Sequence, residues 1–183
     1  MDWTKLDASE QKVGYKEIVF KRYRLPDGQE VEYTIWGRDH TRIAAVVAIT
    51  TNGKIVVSRQ FRPGPEMVLD DIPGGFVDDG EEPVDAAVRE LLEETGFVSD
   101  EPLRPIGLAH RDAYTNETNY YFLARNCYQA TTAQKLDKGE RVEIMLIDID
   151  TLIANAKTGK MSDAAAVLMA YDILKEIQEE INA

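Results

Sequence analysis

The chain has 183 residues, 44% of them hydrophobic and 30% charged, which is the composition of a folded globular protein and excludes disordered, collagen-like and disulfide-framework classes. The length predicts one domain spanning 1–183 with a sizeable buried core. With 21 basic against 33 acidic side chains the net charge is −12, so the mean field repels nucleic-acid backbone and anionic membrane alike.

Lys16 to Leu25 and Gln29 to Gly37 are rich in β-branched and aromatic residues and flank Pro26-Asp27-Gly28, which predicts an N-terminal hairpin. Ile43 to Ile49 and Lys54 to Phe61 predict a second hairpin, closed by Thr51-Asn52-Gly53. The first of these is apolar without alternation, as befits a central strand covered on both faces. From Pro83 to Thr95, Val84, Ala87, Val88 and Leu91 recur at helical spacing, with Pro83 in the first turn and Gly96 just past the end. Pro102 to His110, Thr118 to Cys127 and Val142 to Ile149 read as strands, with a polar loop from Thr131 to Arg141. A short helix is expected over Asp150 to Lys157. A long amphipathic one follows a Ser162-Asp163 cap, carrying Ala166, Val167, Ala170, Leu174, Ile177 and Ile181 on one stripe. Strands with interspersed helices predict an α/β sandwich. The apolar run Ile43 to Ile49 is far shorter than the roughly 20 residues of a membrane span. No secretory signal pattern is visible, and the lone cysteine, Cys127, has no internal disulfide partner, so a cytoplasmic location is expected.

Between Asp70 and Glu94 stand ten carboxylates and one basic residue, Arg89. Such a density repels itself unless cations or ordered hydrogen bonds offset it. At about 100° per residue, Glu90 and Glu94 fall on one side of the helix at the margin of its apolar stripe, while Glu93 lies elsewhere with Arg89 as its i−4 partner. Carboxylate oxygens without competing His or Cys suit hard cations, Mg2+ in particular, which is held by one or two carboxylates together with substrate phosphates. His40 and His110 are too scattered for a zinc site.

Gly75, Glu81, Arg89, Glu90, Leu91, Glu93, Glu94, Gly96 and Phe97 spell G-x5-E-x7-R-E-U-x-E-E-x-G-U, where U is a bulky hydrophobic residue. With this pattern the chain closely resembles the Nudix hydrolase family. Phe97 stands where a branched aliphatic is commoner. The resemblance implies an α/β/α sandwich with a mixed β-sheet and an additional N-terminal antiparallel β-sheet region (1–40), which serves dimerisation, beside a catalytic core (41–183). It implies Glu90 and Glu94 as principal metal ligands, with Glu81, Glu93 and the Gly74 carbonyl completing the set around Mg2+, for which Mn2+ can substitute.

Arg59-Gln60-Phe61-Arg62 and Asp70-Asp71-Ile72-Pro73-Gly74-Gly75 resemble the ADP-ribose pyrophosphatase branch, as does Gly159-Lys160-Met161-Ser162-Asp163-Ala164. That likeness implies hydrolysis of ADP-ribose or a related nucleoside diphosphate sugar to a nucleoside monophosphate and a sugar phosphate. Arg62 and Arg59 are then phosphate contacts. A loop glutamate before the last strand activates the attacking water; Glu140 is the first candidate and Glu117 its rival. Members of the branch often form homodimers, and Trp36, with Trp3, Tyr23 and Tyr33, offers an aromatic surface for the nucleotide. Asp112-Ala113-Tyr114 occupies the region where many ADP-ribose hydrolases carry a proline about 16 residues after the box. NADH, GDP-mannose, a dinucleoside polyphosphate or a modified nucleoside triphosphate therefore stay open as substrates, and a non-catalytic nucleotide-sugar sensor as a further alternative.

Overall fold

The computed structural model describes residues 2–14, 16–38, 40–136 and 138–182. They form two compact units, one of residues 1–42 with 109–119 and one of residues 43–108 with 120–183.

The first unit is built on an antiparallel sheet of β1 (Thr4–Val13), β2 (Lys16–Arg24) and β3 (Glu30–Trp36) in that order. The expected hairpin is β2–β3. Its turn closes through Gly28 N–H to Leu25 O at 3.0 Å and an Asx contact from Gln29 N–H to Asp27 Oδ1 at 3.0 Å, with Gly28 at φ 87. Strand β1 extends the sheet beyond that expectation. Nearly all its side chains are exposed, and the backbone ladder to β2 with the Arg22–Asp7 ion pair holds it, so its sequence carries no hydrophobic period to read. Val19 and Ile35 pair across β2–β3 as the buried centre. Trp3, Tyr23 and Tyr33 pack on one another with ring centroids 6.0–6.3 Å apart, and Tyr114 joins Tyr33 at 6.4 Å. Trp36 lies three residues beyond Tyr33, hence on the opposite face of β3, and is half exposed.

The second unit is organised around β4 (Arg42–Thr50) and β5 (Ile55–Arg62), followed by β6 (Met67–Asp71), β7 (Gly74–Phe76), α1 (Pro83–Thr95) and β8 (Phe97–Val98). Then come β9 (Arg104–His110), β10 (Thr118–Gln129), β11 (Glu143–Ile147), α2 (Ile149–Thr158) and α3 (Ala164–Asn182). The sheet runs β11-β5-β4-β10-β8, with β6 on β5, β7 on β4 and β9 on β10. Every residue of β4 from Ala44 onward is buried, which is why its sequence shows no alternation. Ala44, Val46 and Ala48 pack with Val56, Phe122 and Ala124 against Ala86, Ala87 and Leu91 of α1. Ala45, Val47 and Ile49 point the other way and are equally buried. The remaining helical core comes from Leu152 of α2 and from Ala166, Ala170 and Leu174 of α3. This two-sided burial is the expected α/β sandwich.

Several element ends differ from the sequence reading by one or two residues. Ile149 opens α2 instead of ending a strand, because its side chain is buried with the helix core. The Ser162 hydroxyl donates to Asp71 Oδ1 at 2.8 Å, which ties the start of α3 to β6. Strands β6, β7 and β8 are too short to show a period. Among the described residues no helix is long and apolar enough to cross a membrane. Because Leu91 is 1% exposed at the contact of α1 with the sheet, Leu91→Ala is expected to cost about 2–5 kcal/mol in urea unfolding. An unchanged midpoint would contradict that packing.

Candidate active site

Strand β4 changes partner along its length, and the site is built where it does so. It pairs with β5 only at Ala48 and Ile49. Beyond that point β5 pairs with β6, and Ile43 to Ala45 of β4 are taken over by β7. The switch is closed by Val46 N–H donating to Pro73 O at 3.0 Å, which delivers Gly74-Gly75 to the flank of α1. Gly74 requires glycine, and a larger residue at Gly75 would displace the Glu90 carboxylate. A Cβ at Gly74 would lie 2.6 Å from Ala44 O and Ala45 Cβ, and one at Gly75 would lie 2.4 Å from Glu90 Oε1.

The carboxylates of the box gather around Arg89. Its Nε donates to Glu81 Oε1 at 3.0 Å and its Nη2 to Glu81 Oε2 at 3.1 Å, a fork-on-fork pair. Its Nη1 reaches Glu90 Oε1 at 2.6 Å and Glu93 Oε2 at 3.2 Å, the latter being the expected i,i+4 pair, and Nη2 also donates to Phe76 O at 2.9 Å. Hydrogen bonding to Glu81 above all holds the guanidinium proton even more firmly than usual. Lys135 Nζ at 2.6 Å, aided by Arg89, keeps the Glu93 carboxyl below the ordinary carboxylate range.

Glu90 and Glu94, one turn apart, shift the same way. Burial raises Glu90 despite Arg89. Glu94 is 7% exposed, and burial, reinforced by the negative charges of Glu90 and Glu140, pushes its carboxyl up to about 7. The Ser58 hydroxyl, donating to Oε2 at 2.8 Å, and the Gly74 amide oppose that rise. The negative charge of the loop residue Glu140 adds a small part to the rise of both carboxyls. The rival Glu117 belongs to the first unit, where it accepts from Arg111 Nη1 at 3.1 Å. Trp36 belongs to that unit too.

Arg59 and Arg62 leave β5 beside the carboxylates of β6. Arg59 forks onto Asp70 at 2.6 and 3.0 Å, and Arg62 Nε donates to the fully buried Asp71 at 2.9 Å. Arg59, Phe61, Val68, Leu136, Glu140 and Arg141 line a cleft of about 490 Å³, so one prospective phosphate contact and the candidate base share a wall. Sequence reasoning missed Ser58 and the anchoring of the two arginines. The polar Ser58 inside Ile55-Val56-Val57-Ser58 was the available signal, since strand alternation turns it toward the face that carries Val56.

Among the described residues no group of three or more His, Cys, Asp or Glu side chains is already disposed as a metal cage. Arg89 draws Glu81, Glu90 and Glu93 to itself. The donor set nonetheless fits a hard divalent cation. It is all oxygen, and Gly75 leaves the Glu90 carboxylate the space that a Cβ would fill. Glu94, Glu90 and Glu140 repel one another where a positive ion would relieve them.

Burial of Glu94 has a thermodynamic consequence. The folded protein keeps up to about pH 7 a proton that the unfolded chain loses near 4.5. The associated stability is complete below about 4.5 and is lost as pH rises through about 7. In metal-free denaturation Glu94→Gln, which stays neutral, is expected to match wild type near the lower value and to surpass it at about pH 8. Parallel stability curves for the two proteins would refute a buried, proton-holding Glu94.

The sequence model of the NUDIX domain matches residues 39–169. The chain is 31% identical over 161 residues to an ADP-ribose pyrophosphatase of Bacillus subtilis (strain 168), covering 87% of this chain and 86% of that protein. It is also 31% identical over 144 residues to a methanol dehydrogenase activator of Bacillus methanolicus, covering 79% and 77%. The crystal structure of an ADP compounds hydrolase has the same fold, with a TM-score of 0.80 over 96% of each chain at 18% identity. Carrying a complete box on the helix that the fold places beside the Gly74-Gly75 strand, this chain belongs to the Nudix hydrolase family.

Proposed function

We propose that the protein hydrolyses the pyrophosphate linkage of ADP-ribose or a related nucleoside diphosphate sugar, using Mg2+, with Mn2+ as a substitute, and releasing a nucleoside monophosphate and a sugar phosphate. The observation that carries this reading is the placement of Glu90 and Glu94 beside Gly74-Gly75, where the Glu94 carboxyl is buried and its charged form is disfavoured. The likeness to an ADP-ribose pyrophosphatase over most of both chains supports the choice of substrate class.

Glu90 and Glu94 are the proposed metal ligands, joined by Glu81, Glu93 and the Gly74 carbonyl. When bound, the ion supplies the positive charge that an anionic diphosphate needs in so acidic a site and makes water more acidic. Arg89 orients Glu81, Glu90 and Glu93 and keeps their mutual repulsion from spreading them. Arg59 and Arg62, set against Asp70 and Asp71, present guanidinium edges to the phosphates. Glu140 takes the proton of the attacking water; its field already reaches Glu90 and Glu94. Glu117 is not assigned that role. We propose a homodimer with the half-exposed Trp36 as an aromatic surface for the base, in a cytoplasm whose reducing conditions suit the buried free Cys127.

The test is a product assay with Mg2+ over ADP-ribose, ADP-glucose, NADH, GDP-mannose and a dinucleoside polyphosphate. ADP-ribose or ADP-glucose is expected to turn over fastest and to yield AMP; exclusive turnover of another member overturns the substrate assignment. Glu140→Gln is expected to lower kcat about 10²–10⁴-fold and Glu117→Gln to leave it near wild type. The reverse order would move the base to Glu117. Removal of divalent metal with a chelator is expected to abolish activity, restored by Mg2+ or Mn2+.

A further inference from the structure

The last carbonyls of a helix have no partners within it. In α1 the Leu92 carbonyl is satisfied by Gly96 N–H at 2.8 Å, and the next two by the segment that follows β10. Glu93 O accepts from Lys135 N–H at 2.8 Å, and Glu94 O accepts from Gln134 Nε2 at 2.5 Å. Just beyond the helix, Gly96 O accepts from Ala130 and Thr131 N–H at 2.9 and 3.2 Å. The segment lies so close that a Cβ at Gly96 would meet Thr131 O at 1.9 Å.

Gln134 does more than cap the helix. A primary amide carries two N–H donors, and the same Nε2 also reaches Val142 O at 3.3 Å, one residue before β11. One side chain thus joins the helix end that bears Glu90 and Glu94 to the far end of the loop, and Glu140 sits two residues before that second anchor. Lys135 adds a charged tie to Glu93 at 2.6 Å.

We infer that Gln134 is a positioning residue for hydrolysis, its amide bracing the loop so that Glu140 is held on the cleft wall that it shares with Arg59. The inference rests on Glu140 being the base. Gln134→Met keeps the length and bulk of the side chain and removes both donors. Its kcat is expected to fall about tenfold with KM little changed, because loss of alignment raises the barrier without removing a substrate contact. In a Glu140→Gln background the same change is expected to have almost no further effect. Gln134→Asn, which keeps the amide but is too short to span both carbonyls, should behave alike and serves if the methionine variant does not fold. Wild-type kcat in the variants, or equal losses with and without Glu140, overturns the inference while leaving the proposed function standing. A wild-type protein inactive toward every compound of the panel sinks the proposed function first and the inference with it.

Discussion

Like charge held where little water reaches is the constraint around which this molecule is arranged. Glu90, Glu94 and Glu140 act on one another across a few residues of helix and loop, and the single guanidinium among them, Arg89, is already shared by Glu81, Glu90 and Glu93. Glu94 lies outside that sharing and is the most buried of the set, so burial shifts it furthest. In the absence of a compensating cation a proton is the cheapest remedy, which is why the proposed metal ligands include the most buried carboxyl.

The fold supplies the proximity that makes the repulsion strong. Because β5 leaves β4 after two paired residues, β7 can enter and bring a backbone without side chains against α1. Divergence of β5 also carries Arg59 and Arg62 onto β6, where Asp70 and Asp71 take their charges. Asp70 is further tied to Asn155 of α2 at 3.2 Å, and Asp71 to Ser162 ahead of α3. The two arginines are thus fixed by the same strand that locks the C-terminal helices to the sheet, so that their placement depends on core packing rather than on a mobile surface loop.

Much of this was legible in the amino-acid order. The helix Pro83–Thr95 was readable to the residue because Pro83, the apolar stripe and Gly96 agree, and Glu90 with Glu94 follow from its period. The central strand was readable because burial on both faces leaves an uninterrupted apolar run. What escaped were features that side-chain pattern does not encode. Strand β1 is almost wholly exposed and has no hydrophobic period, and the short β6 and β7 are defined by the partner switch of β4. At the site, the helical period separates Glu93 from Glu94 but says nothing of Lys135 or Ser58, which arrive from elements distant in sequence. The bracing amide of Gln134 sits in a loop whose polar composition looks like any other.

The most direct test is a crystal grown with Mn2+ and a non-hydrolysable ADP-ribose analogue, in which the metal is located by its anomalous signal. The account predicts a peak at coordination distance from the carboxylates of Glu90 and Glu94, with the diphosphate on its far side and Glu90 drawn off Arg89. A peak elsewhere, or none while Glu90 stays on Arg89 and the analogue occupies the cleft, would contradict it.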